Sequence, residues 1–90
     1  MRLRLYILYV IVEIMPRLAS FHGIDVYMYY KDHAPPHVHA FYGDEEALLL
    51  ISTGAVYTGS LPARQLARAQ EYVLANTAEL LMKWAEFGGG

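Results

Sequence analysis

The pair Pro35-Pro36 is the feature that most constrains how this chain can fold. Proline lacks an amide donor, fixes its own backbone angle and keeps the residue before it out of the helical conformation. A run of strand-forming residues lies on each side of the pair, at residues 24–31 (IDVYMYYK) and 37–42 (HVHAFY). In both runs an apolar face alternates with an aromatic or polar face. The pattern therefore predicts an antiparallel hairpin with its loop centred on Ala34.

Matching the two apolar faces fixes a register for this predicted hairpin. The pairs expected on the core side, to which Ile24 also belongs, are Tyr30 with Val38, Met28 with Ala40, and Val26 with Tyr42. The pairs expected on the opposite side are Lys31 with His37, Tyr29 with His39, and Tyr27 with Phe41.

The rest of the chain predicts two more strands and two helices. Residues 45–52 and 55–59 have strand character, and the unbroken apolar stretch at 47–51 predicts burial on both faces. Proline is favoured in the first turn of a helix, so Pro62 predicts a helix that begins there and runs to about Ala75. Its expected apolar stripe consists of Leu66, Ala69, Tyr72 and Val73. The fold predicted is α+β, a three- or four-stranded antiparallel meander with two C-terminal helices packed on one face.

The second of these helices is expected to begin at Thr77, because Asn76 and Glu79 have the spacing of a capping box. The side chains it should bury are Leu80, Leu81, Trp84 and Phe87. Residues 88–90 are all glycine and are interpreted as a flexible tail, so that residues 15–87 form a single domain.

Composition excludes several classes of protein. With 56% apolar and 18% charged residues among 90, the chain is not intrinsically disordered. A net charge of -2 provides no basic field for phosphate backbones, so direct DNA binding is not expected and RNA binding is disfavoured. The absence of cysteine excludes disulfides, thiolate zinc sites and cysteine nucleophiles, and it fits a cytoplasmic location.

Residues 1–14 resemble a signal peptide only in part. Arg2 and Arg4 precede an apolar run from Leu5 to Val12, but no small-residue cleavage site follows. The run is also far shorter than the roughly 20 residues of a membrane span, so no membrane association is expected. We interpret this segment as an extra strand or as an extension read from an upstream start codon.

Three of the four histidines lie within residues 33–39, which makes this stretch the candidate site. Because strand side chains alternate, His37 and His39 should project from the same face. Two imidazoles can bind one divalent transition metal of the zinc type, with His33, Asp32 or a facing Asp25 completing the ligand set.

Two metal-free interpretations remain open for the same stretch. His37 and His39 could act as general acid and base in cleavage of an RNA phosphodiester, with Lys31 stabilising negative charge. The base-stacking residues would then be Tyr27, Tyr29 and Phe41. Alternatively, the histidines satisfy backbone groups beside the two prolines while Asp32 orders the turn and orients His33.

The same three aromatic residues, Tyr27, Tyr29 and Phe41, also form a candidate interaction face. A sheet with helices on one side only leaves a surface that a second small protein, a second copy of the chain or residues 1–14 would cover. Glu45 and Glu46 point to opposite faces of their strand, so we interpret them as a solvated turn and not as paired catalytic carboxylates.

Several motifs, in the same order, resemble the bacterial domain-of-unknown-function family numbered forty-one sixty, over residues 15–87. They are Met15-Pro16, Phe21-x-Gly23-Ile24, Tyr27-x-Tyr29-Tyr30-x-Asp32-His33-x-Pro35-Pro36-His37-x-His39, Thr53-Gly54, Gly59-x-Leu61-Pro62 and Trp84. The resemblance implies a small cytosolic protein that is often encoded beside another small protein, in an arrangement suspected of being a toxin–antitoxin pair. It brings no established catalytic residues. The leading expectation is an interaction protein of such a two-protein module, and the alternative is a histidine-dependent nuclease or a metal-binding module.

Overall fold

A computed structural model describes residues 15–90 as an antiparallel five-stranded sheet followed by two helices. The strands are β1 (Arg17–Phe21), β2 (Ile24–Tyr27), β3 (His37–Tyr42), β4 (Glu45–Leu50) and β5 (Val56–Gly59), and the helices are α1 (Ala63–Ala75) and α2 (Thr77–Glu86). Strand order in the sheet follows the order in the chain, so the sheet is a simple meander. The predicted α+β class is confirmed, but the sheet has five strands where three or four were expected.

The additional strand is β1, which pairs with β2 through a tight turn at His22 and Gly23. Both turn residues have positive φ, 50° and 76°, as in the hairpin turns that match the twist of a sheet. The five residues of β1, RLASF, mix polar and apolar side chains, so they carry a weak strand pattern. The predictions made for residues 1–14 lie outside the described residues.

The predicted hairpin exists, but its register was wrong by two residues. Val26 lies opposite Ala40, where Tyr42 was expected, and Tyr27 lies opposite His39, where Phe41 was expected. β2 ends at Tyr27, and residues 28–36 form a longer loop than the proline pair predicted. A shift of two residues leaves each side chain on its predicted face, because the period of a strand is two.

The core lies between one sheet face and the two helices. Its buried sheet residues alternate along the strands: Ile24, Val26, Val38, Ala40, Ala47 and Leu49. The expectation that β4 is buried on both faces is wrong, since Leu48 and Leu50, on the other face, are only half-buried. Tyr30 and Leu81 were also expected in the core, yet they are 45% and 40% exposed.

The helices agree with the sequence pattern in position and differ in one cap. Pro62 immediately precedes α1, and α1 ends at Ala75 as predicted. The capping box is absent, because the Asn76 side chain donates to the carbonyl of Tyr72 at 2.8 Å and makes no cap hydrogen bond to α2. Among residues 15–90, no helix combines the length and the apolar composition that a membrane span requires.

Candidate metal centre

Asp32, His37 and His39 form a compact cluster at the start of β3. The two imidazoles project from the same face of the strand, with ring centroids 5.0 Å apart. Both Nε2 atoms point to one oxygen, since Asp32 Oδ2 lies 3.0 Å from that of His37 and 3.1 Å from that of His39. The histidines are almost completely buried, at 4% and 7% exposure.

The loop between β2 and β3 returns Asp32 to the histidines. Met28, the first residue of this loop, is buried in the core. Lys31, which has a φ of 55°, donates its backbone N–H to the carbonyl of Phe87 at 2.8 Å. Asp32 Oδ1 accepts the backbone N–H of His33 at 2.7 Å. The Asp32 carbonyl accepts the N–H of Gly90 at 3.0 Å, so residues assigned to a flexible tail contact the loop.

The outer nitrogen of each imidazole has an acceptor of its own. His37 Nδ1 lies 2.8 Å from the carbonyl oxygen of Pro35, and His39 Nδ1 lies 2.9 Å from Glu46 Oε2. A carbonyl or an ionised carboxylate only accepts hydrogen bonds, so both Nδ1 atoms carry the proton. In a neutral imidazole the Nε2 atom then has a free lone pair.

Aromatic rings enclose the cluster on two sides. The Tyr29 ring stacks on His39 with a centroid separation of 4.1 Å, and the indole of Trp84 lies 5.3 Å from His37. Trp84 Nε1 donates to the carbonyl of Gly90 at 3.3 Å, which holds the C-terminal residues against the site.

The site shifts the pKa values of Tyr29 and Asp32 in opposite directions. Burial raises the pKa of Tyr29, and the charges of Glu46 and Asp32 raise it further. Burial also tends to raise the pKa of Asp32, but hydrogen bonds from His39 and the His33 backbone, with the charges of His37 and His39, outweigh it. The pKa of Asp32 therefore lies below its ordinary value, and this carboxyl is ionised at neutral pH.

The structure brings together only some of the predicted site residues. Among residues 15–90, the group able to hold a metal ion consists of Asp32, His37 and His39. His33 and Lys31 are exposed. Lys31 was predicted to lie opposite His37, but the two residues are not paired. Asp25 instead accepts a hydrogen bond from Ser20 at 2.7 Å, with Arg17 at 3.6 Å.

The predicted aromatic face lies beside this cluster, on the sheet surface opposite α1 and α2. Tyr27 and Phe41 meet edge to face with ring centroids 5.5 Å apart, although their backbones are not paired. With Met15 and Asp25 they line a groove of about 260 Å³. Tyr29 instead belongs to the wall of the histidine cluster.

Glu46 is the site residue that the sequence pattern missed. The alternation that separates Glu45 from Glu46 was interpreted as a reason to assign neither a role. The same alternation places Glu46 on the histidine face, where its carboxylate reaches His39. The register of β3 and β4 would have revealed this contact.

The family model of DUF4160, a domain of unknown function, matches residues 23–85, which is more than half of the chain. The matched segment contains the whole cluster together with Glu46 and Trp84. No curated protein and no solved structure matches the chain.

Proposed function

The chain belongs to the DUF4160 family, and we propose that it is a small metal-binding protein whose Asp32, His37 and His39 bind a divalent transition metal. The observation that carries the proposal is the convergence of three candidate ligand atoms. Each Nδ1 donates outward, so in neutral imidazoles both Nε2 atoms are acceptors that face the ionised Asp32 oxygen, at 3.0 and 3.1 Å. Such an arrangement needs a cation between the acceptors, which is either a metal ion or a proton on each ring.

The distances suit a metal of the zinc type. The three candidate ligand atoms lie within 4.8 Å of one another. A zinc ion at about 2.0–2.2 Å from each nitrogen or oxygen would require ligand separations near 3.4 Å, so small side-chain shifts would admit it. Two histidines and one carboxylate leave at least one coordination position for water or a substrate, as in catalytic zinc and non-haem iron sites.

The outer acceptors are also those that metal-bound histidines use. Histidine ligands usually donate their second ring N–H to a carboxylate or a backbone carbonyl, which fixes the tautomer and the ring orientation. His39 has Glu46 in this position and His37 has the Pro35 carbonyl. The pair therefore presents preoriented Nε2 ligands.

Metal-free cleavage of RNA has less support from this geometry. Both histidines are buried and directed at Asp32, so neither Nε2 is available to a phosphodiester without rearrangement. Lys31, assigned the stabilisation of negative charge, does not face His37 across the strands.

Equilibrium dialysis with zinc, nickel and manganese tests the proposal. We expect one zinc ion per chain at pH 7 and loss of binding at pH 5, because imidazole ligands must lose their protons to bind. His37→Ala and His39→Ala should abolish binding, whereas His33→Ala, which removes an exposed histidine of the loop between β2 and β3, should not. A wild-type protein that binds none of the three metals at pH 7 would contradict the proposal and favour protonated histidines as a structural brace.

We propose as a second function that the protein binds a partner in a two-protein, toxin–antitoxin-like module. The apolar groove at Tyr27 and Phe41 supports it. Co-purification with the product of the neighbouring gene, and co-expression growth assays, test it. Failure to form a complex, with no effect on growth, would remove this second function and leave metal binding unaffected.

A further inference from the structure

We infer that Glu46 is a positioning residue that sets the metal affinity of His39, an inference that rests on the proposed metal-binding function. Glu46 is outside the three-residue ligand group, and its side chain is 40% exposed. In the described part of the chain its carboxylate makes one hydrogen bond, which it accepts at Oε2 from His39 Nδ1 at 2.9 Å. Glu46 would therefore act on the metal only through the imidazole.

The sheet places this carboxylate by register. His39 lies directly opposite Leu48, and Glu46 is two residues from Leu48 along β4. Glu46 is therefore the diagonal neighbour of His39 on the same face, at a distance that a long side chain can span. Glu45, one residue earlier, lies on the other face and pairs with Tyr42.

The backbone of Glu46 is held in place from the other side by β5. Its carbonyl accepts the N–H of Ser60 at 3.0 Å. A Cβ atom on Gly59 would lie 2.2 Å from the same carbonyl oxygen, and Gly59 has a φ of 80°, so only glycine fits there. The carboxylate thus extends from a fixed strand position and not from a loop.

The two histidines differ in what they donate to. His37 donates to the neutral Pro35 carbonyl, whereas His39 donates to an anionic carboxylate. A charged acceptor strengthens the hydrogen bond and makes the other ring nitrogen a stronger metal ligand. We therefore expect His39 to be the stronger of the two nitrogen ligands, and Glu46 to be the cause.

The test compares Glu46→Gln with Glu45→Gln in the full chain, because the two variants remove the same charge from adjacent residues on opposite faces. Zinc affinity is measured by competition with a chromogenic chelator, and the ligand field is followed by the visible absorption of bound Co²⁺. We expect Glu46→Gln to weaken zinc binding about 10- to 100-fold and to shift the Co²⁺ bands. Glu45→Gln should change neither. Melting of both metal-free variants shows whether each is folded.

The outcomes separate this inference from the function on which it rests. Absence of zinc binding by the wild-type protein contradicts the metal-binding function itself. If the wild-type protein binds zinc and Glu46→Gln binds it with equal affinity, the role of Glu46 is overturned and the metal centre stays in place. If Glu46→Gln melts early, Glu46→Asp provides the second measurement, since it retains the charge but shortens the reach. If Glu46→Asp binds zinc as weakly as a folded Glu46→Ala variant does, the result supports a positioning role for Glu46. If both variants bind zinc with wild-type affinity, the result overturns that role.

Discussion

The indole of Trp84 lies 5.3 Å from the imidazole of His37, measured between ring centroids, and both side chains are buried. Trp84 is the single tryptophan of the chain, so its emission reports on this site alone. Because the partly filled d shell of Ni²⁺ quenches the emission of a nearby indole, and the ion would bind the imidazole whose ring centroid lies 5.3 Å from that of Trp84, we expect Ni²⁺ to quench the fluorescence of Trp84. Titration at pH 7 measures this. His37→Ala should abolish the quenching and His33→Ala should retain it, and quenching that survives in His37→Ala would place the ion elsewhere.

Zinc should stabilise the folded protein, and Asp32→Asn should remove that effect. A ligand that binds only the native state stabilises it by about 2.7 kcal/mol at 100 times its Kd. The amide of Asp32→Asn removes the anionic ligand while keeping the shape of the side chain. Thermal melts with and without zinc measure the difference for each variant. Asp25→Asn, an acidic position outside the cluster, is the control, and an undiminished zinc effect in Asp32→Asn would count against the ligand set.

Gly59 should tolerate alanine much less well than Gly43. Both have positive φ, 80° and 58°, so alanine costs about 1 kcal/mol at either position for the backbone conformation alone. Only at Gly59 does the added Cβ meet a backbone oxygen, that of Glu46, whereas Gly43 faces open space. We expect Gly59→Ala to lose about 1–3 kcal/mol more in the free energy of unfolding by urea. Equal losses in the two variants would mean that β5 is not held closely against Glu46.

The stability of the protein should fall at alkaline pH partly because of Tyr72. Burial raises the pKa of this phenol above its ordinary value, and the charge of Glu79 raises it further. A group whose pKa is raised on folding stabilises the native state fully below its ordinary pKa, here about 10, and loses this contribution as the pH rises through the higher folded value.

Urea unfolding of wild-type protein and of Tyr72→Phe measures the contribution of this phenol. The stability of the wild-type protein relative to Tyr72→Phe should decrease above about pH 10, since phenylalanine cannot ionise. Tyr57→Phe, at a position 54% exposed, should follow the wild-type curve. A constant difference in the free energy of unfolding between wild type and Tyr72→Phe across this range would show that folding does not raise the pKa of this phenol.

Local structure could be predicted from the sequence more completely than the contacts between residues distant in the chain. The alternation of HVHAFY was enough to place His37 and His39 on one face, and Pro62 and Asn76 located the starts of both helices to within a residue or two. These features depend on neighbours in the chain, where the geometry of a strand or a helix determines direction.

The remaining features depend on where the hairpin loop begins. Lys31 adopts a positive φ and bonds to Phe87, a contact that no local pattern contains, so β2 stops earlier than its strand-forming residues suggest. That change moves the register by two and returns Asp32 to the histidines. The role of Glu46 follows from the register of the next strand pair, which the sequence leaves open.

X-ray absorption at the zinc edge of the one-to-one complex identifies the atoms that bind the metal. We expect two imidazole ligands with Zn–N distances of about 2.0–2.1 Å and an oxygen ligand at about 2.0–2.2 Å, with one imidazole lost in either His37→Ala or His39→Ala. A spectrum without imidazole scattering, or one unchanged by both substitutions, would contradict the assignment of Asp32, His37 and His39 as a metal centre.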